Sequence, residues 1–133
     1  MGKLNSSCII DDDDIFIYGT KKIMKKIDFC DEIIVFNNGQ EAMDGLKQLA
    51  AENKKLPSVI FLDINMPIMD GWEFLEDFIK IPNNNREHVT IYIISSSIDP
   101  MDIQKVQMYG LVNNYILKPI RIVDLEKVLK DIY

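Results

Sequence analysis

Thiols, imidazoles and long apolar runs are all scarce in this chain. Of its 133 residues only Cys8 and Cys30 are cysteines; both sit among apolar neighbours, they share no CxxC spacing, and no secretory leader precedes them. A disulfide framework is therefore not expected, and reduced thiols in a cytoplasmic protein are. His88 is the only histidine. It lies in a polar stretch with no second ligand at metal spacing, which excludes a zinc site and argues that the chain is not itself a histidine phosphotransfer module. No apolar run approaches the roughly 20 residues that cross a bilayer. The opening MGKLNS fits the myristoylation pattern at Gly2, with Ser6 in place, but a first strand follows almost at once and no membrane attachment is expected.

Clustered basic residues are missing as well. Lys and Arg number 15 against 21 Asp and Glu, for a net charge of -6, which disfavours a surface that displaces counterions from nucleic-acid phosphates. No glycine-rich phosphate loop follows any strand, so nucleotide binding has no support. The run Asp11 to Asp14 is followed by Ile15-Phe16-Ile17. It therefore lacks the alternating oxygen ligands and closing glutamate of a calcium-binding loop of roughly 12 residues. Repeats, linkers and low-complexity stretches do not occur.

What is present is a chain 47% hydrophobic, of a length that suits one domain around one core. Five short apolar runs stand out: Ser7 to Ile10, Ile33 to Phe36, Val59 to Leu62, Thr90 to Ile94 and Asn114 to Leu117. They are rich in β-branched residues and apolar on both faces, as strands are when helices cover both sides of a parallel sheet. Helical spacing fills the gaps. Its stripes are Ile23, Met24 and Ile27; Ala42, Leu46, Leu49 and Ala50; Phe74, Leu75, Phe78 and Ile79; Ile103, Val106 and Gln107; and Ile122, Leu125, Val128, Leu129 and Ile132. Asn38 with Glu41 reads as a helix cap and its reciprocal partner, and Asp99-Pro100 as a cap before a first-turn proline. Five strand-helix units in succession predict a doubly wound α/β domain.

In such a sheet ligands bind outside the carboxyl ends of the strands. Asp11 and Asp12 then sit at the exit of strand one, Asp63 at the exit of strand three, Ser95 after strand four, and Lys118, followed by Pro119, after strand five. Three carboxylates converging on one crevice repel one another unless a cation shares them. A hard divalent ion suits them, Mg2+ by preference. A carboxylate nucleophile, a metal, a hydroxyl and an ammonium on one rim are the parts needed to carry a phosphoryl group on Asp63. Asp13 and Asp14 are read as a solvated turn and helix cap, and Trp72 as a packing residue.

The residues at this point resemble a known family, the response-regulator receiver domains of two-component signalling, over essentially the whole chain. The most specific stretch is FLDINMPIMDGWEFL, Phe61 to Leu75, with Met66-Pro67 and Asp70-Gly71 in the following turn. The resemblance implies a flavodoxin-like fold with strand order 2-1-3-4-5 in one receiver domain spanning 1–133. It implies that Asp63 accepts a phosphoryl group from a phosphohistidine on a sensor histidine kinase or histidine phosphotransfer protein. Mg2+, with Mn2+ as a substitute, would be bound by Asp12, Asp63 and the backbone carbonyl of Asn65, and by Asp11 through water. Lys118 and Ser95 would contact the phosphoryl oxygens. Ser95 moving inward would let Tyr115 rotate and remodel the face formed by the helix after strand four, strand five and the last helix, where a downstream effector binds. Such a chain is a switch rather than an enzyme. The Lys118-Pro119 bond is cis in relatives, and the same is expected here.

Some features depart from the family pattern. GLVNNY, Gly110 to Tyr115, is one residue longer than usual, and the polar connection IPNNNREH before strand four reads as a partner-contact loop or as slack. Ser95 is followed by Ser96 and Ser97; Ser95 is preferred because it directly follows the apolar strand. A receiver cut from a hybrid histidine kinase remains open. So does an aspartate-nucleophile Mg2+ phosphatase, although Asn65 stands where that chemistry wants a second acid. Ile103, Val106, Tyr109 and Ile122 are either partner anchors or core.

Overall fold

A computed structural model describes residues 4–66, 69–96, 100–110 and 112–132; expectations resting on Gly2, Pro67, Ser97, Asp99 and Leu111 lie outside the described residues. The chain runs β1 (Leu4–Ile10), α1 (Asp14–Lys26), β2 (Cys30–Phe36), α2 (Gly39–Ala51), β3 (Val59–Asp63), α3 (Gly71–Phe78), α4 (Asn83–Arg86), β4 (Thr90–Ser95), α5 (Pro100–Met108), β5 (Val112–Leu117) and α6 (Ile122–Ile132). The strands form one parallel sheet in the order β2-β1-β3-β4-β5. No helix among the described residues is long and apolar enough to cross a membrane.

Because successive strand residues face opposite sides, each central strand feeds two cores. Ile10, Ile60, Leu62 and Ile93 pack with Leu46, Phe74, Phe78 and Val106 under α2, α3 and α5. Ile9, Phe61, Tyr92 and Ile94 pack with Phe16, Phe29, Leu125 and Val128 under α1 and α6. All five residues of β3 are buried, as a strand sandwiched between helical layers requires.

Local signals fix the helix starts. Asp13 caps α1, its carboxylate accepting from the amides of Ile15 and Phe16 at 3.0 and 3.2 Å. Asn38 caps α2 through the Glu41 amide, but Glu41 answers to the Asn38 side chain rather than to its backbone amide. The complete reciprocal pair is Asp70 with Glu73 at the head of α3. Pro100 opens α5 as expected.

Several boundaries differ from the sequence reading. β1 and β2 each begin three residues early, because Leu4 pairs with Cys30 and donates to Phe29 O at 3.0 Å. Asp31 and Glu32 make that start look polar, which an edge strand tolerates. The connection IPNNNREH is ordered by the short α4, with Arg86 Nε donating to Ile81 O at 2.8 Å. His88 also has a structural task, its Nε2 lying 2.9 Å from Leu56 O. On α5 Gln107 is exposed and only Val106 is buried, so the stripe is narrower than its spacing suggests. Val106 is therefore core, while Met101 and Met108 are the exposed apolar residues of that helix.

Candidate functional site

Register places the chemistry. Ile10 pairs with Leu62, so Asp11 and Asp63 leave neighbouring strands at the same level. Ser95 pairs with Leu117, and the Lys118 amide extends that ladder by donating to Ser95 O at 2.8 Å. The carboxyl edge of the sheet thereby brings Asp11, Asp12, Asp63, Ser95 and Lys118 to one rim.

Ligand oxygens of Asp11, Asp12 and Asp63 lie within 4.8 Å of one another; Asp12 is exposed, whereas Asp11 and Asp63 are buried. Asp11 Oδ1 accepts from the Asp13 amide at 2.9 Å, and Asp63 Oδ1 accepts from the Asn65 amide at 3.3 Å. The remaining oxygens meet Lys118: its Nζ stands 2.7 Å from Asp11 Oδ2 and 3.8 Å from Asp63 Oδ2. The shorter contact is a close, charge-assisted pairing with a buried carboxylate oxygen.

Burial, reinforced by the Asp11 charge, pushes the Asp63 carboxyl up to about 6. Burial raises Asp11 too, against the pull of Lys118. A charge imbalance stands beside that burial: three carboxylates face one ammonium. A divalent ion would complete neutralisation. Oxygens sharing Mg2+ at about 2.1 Å lie within roughly 4.2 Å of one another, close to the spacing present here, so the donor set fits a hard cation with small side-chain adjustments.

Ser95, the last residue of β4, is 1% exposed, while Ser96 is exposed. Tyr115 is half-buried against the core that holds Val106 and Val112. Asn65 is exposed two residues past Asp63. Lys118-Pro119 is cis. Trp72 is half-buried and stacks on Tyr109 at 5.8 Å, a packing role. One participant escaped the sequence reading. The ring of Phe16 lies under Lys118, its centroid 4.6 Å from Nζ; no spacing rule links a first-turn residue of α1 to a lysine 102 positions later.

Comparison with known proteins decides what this rim belongs to. The family model described as the response regulator receiver domain matches residues 8–130. The chain belongs to that family. A solved two-component response regulator from Cytophaga hutchinsonii is 31% identical, with a TM-score of 0.90 and coverage of 98% of this chain and 97% of that one. A response regulator receiver protein from Dyadobacter fermentans is 28% identical, with a TM-score of 0.83 and 96% coverage of both. Among curated proteins, the transcriptional regulatory protein HptR of Staphylococcus aureus is 31% identical over 121 residues, 91% of this chain. The chain spans only 43% of HptR's length. Receiver domains are phosphorylation-dependent switches of two-component systems that generally bind Mg2+ at an acidic pocket, and this chain has the receiver fold with such an acidic cluster.

Proposed function

We propose that residues 1–133 form a single cytoplasmic receiver domain in which Asp63 takes a phosphoryl group from a phosphohistidine. The observation that carries this reading is the pairing of Lys118 with both Asp11 and Asp63 over a three-carboxylate cluster. An Asp63 oxygen attacks phosphorus, the bond from phosphorus to the imidazole nitrogen breaks, and the imidazole keeps that electron pair and takes up a proton. Asp12, Asp63 and the Asn65 carbonyl would hold Mg2+ or Mn2+, with Asp11 reached through water. The ion's chemistry is to neutralise charge on the transferring oxygens.

The chain's own groups do the rest. Lys118 gives up its carboxylate partners and pairs with the phosphoryl oxygens, and the Ser95 hydroxyl donates to another of them. As Ser95 is drawn in, Tyr115 rotates and alters the face of α5, β5 and α6 for an effector protein. The donor is a sensor histidine kinase or histidine phosphotransfer protein. Direct nucleic-acid or membrane contact is no part of this reading. Asn65 carries an amide where an aspartate-nucleophile phosphatase needs an acid, so turnover of small phosphate esters should be slow.

The test is intact mass after incubation with a small phosphodonor. Wild type should gain one phosphoryl group only with Mg2+ or Mn2+ present, and Asp63→Asn should gain none. Equal labelling of Asp63→Asn, or no labelling of wild type, would refute the assignment.

A further inference from the structure

We infer that Phe16 is a positioning residue for the reaction proposed above, its ring holding the Lys118 ammonium over the Asp11 and Asp63 carboxylates. The role rests on that reading of Asp63 and Lys118. The ammonium lies over the ring, 4.6 Å from its centroid, and 2.7 and 3.8 Å from the two carboxylates. A lysine is a point charge on a flexible stem with about 2 kcal/mol of rotamer entropy. Carboxylates attract such a charge without fixing its path. The aromatic face supplies a further restraint, because its quadrupole favours a cation.

Two further features support the role. Phe16 is itself fixed: its amide is bound by the Asp13 carboxylate at 3.2 Å, and the Asp13 amide donates to Asp11 Oδ1 at 2.9 Å. The aspartate run thus ties the backbone that bears the ring to a carboxylate that Lys118 touches. A cleft of about 410 Å³, lined in part by Phe16, Thr20, Ser96, Lys118, Pro119 and Ile120, adjoins the ring. Without the ring's negative face, Lys118 has somewhere else to go, and it would spend less time where phosphoryl oxygens arrive.

Replacing Phe16 by leucine keeps an apolar side chain and removes the quadrupole. Phosphoryl uptake from a small phosphodonor at fixed Mg2+ should then fall about threefold to tenfold, the kinetic equivalent of one cation-π contact. Phe16→Tyr should stay within about twofold of wild type. Phenylalanine at position 16 carrying one, two and three ring fluorines provides the decisive series, because fluorination weakens the quadrupole with little change of shape. Rates should fall stepwise along the series. In the metal-free protein the Lys118 ε-methylene proton signals should be shifted by the ring in wild type and relax in Phe16→Leu. Labelling rates that are flat across the fluorinated series while wild type labels normally would overturn the role of Phe16 alone. Failure of wild type to label would overturn the reaction itself, and this role with it.

Discussion

At the scale of single residues the decisive quantity is the energy stored in Asp63. Its carboxyl, raised to about 6 by burial and by Asp11, prefers its proton more in the fold than in the unfolded chain, where an aspartate titrates near 4. A raised carboxylate contributes stability below the unfolded value and loses it as pH rises through the folded one. Metal-free wild type should therefore be less stable than Asp63→Asn at pH 7.5, by roughly 2 kcal/mol, and the gap should close as pH falls from about 6 to 4. Paired thermal melts across that range read the difference. Asp11, Asp63, Ser95 and Lys118 were legible as a group because each directly follows an apolar strand run, and strand exits of a doubly wound sheet converge. Phe16 was not, since its relation to Lys118 exists only once both side chains are placed. Nor could the sequence decide whether Val106 was a partner anchor or core; it is core.

At the scale of elements, the turn from β3 into α3 connects the site to the scaffold. A Cβ on Gly71 would stand 2.8 Å from Ile64 Cα and 2.9 Å from Asp63 O, both backbone atoms. Gly71 also donates to Ile64 O at 3.1 Å, which pins the turn. Gly71→Ala should therefore cost about 1–3 kcal/mol in urea unfolding and slow phosphoryl uptake, because the shift bears on Asp63 itself. Asp70→Ala offers the contrast: it breaks the reciprocal cap with Glu73, costing about 1 kcal/mol, yet should leave uptake by the folded fraction near wild type. The Asp70-Gly71 pair was legible in the resemblance, but its steric reason was not. The short α4 was illegible for a different cause: Asn83–Arg86 has no apolar periodicity to read.

At the scale of the whole molecule, the fold divides labour between two cores. α1 and α6 cover the face that carries Phe16, and α2, α3 and α5 the face against which Tyr115 rests. Five strand-helix units were legible because buried parallel strands lack alternation. The order 2-1-3-4-5 came from family resemblance, since periodicity carries no information on which strands are neighbours. The site lies at the carboxyl edge, while the proposed output face presents Met101, Met108 and Leu117 to solvent. Tyr115 on β5 is half-buried, and the proposed switch requires it to move between two positions.

The most direct test of this account is a backbone amide NMR spectrum of wild type before and after adding Mg2+ and a small phosphodonor, with Asp63→Asn alongside. The account predicts that phosphorylation moves signals at Asp63 and Ser95 together with Tyr115 and α5, and that Asp63→Asn shows none of these donor-dependent changes. Shifts confined to the turn around Asp63, with Tyr115 and α5 unmoved, would contradict it.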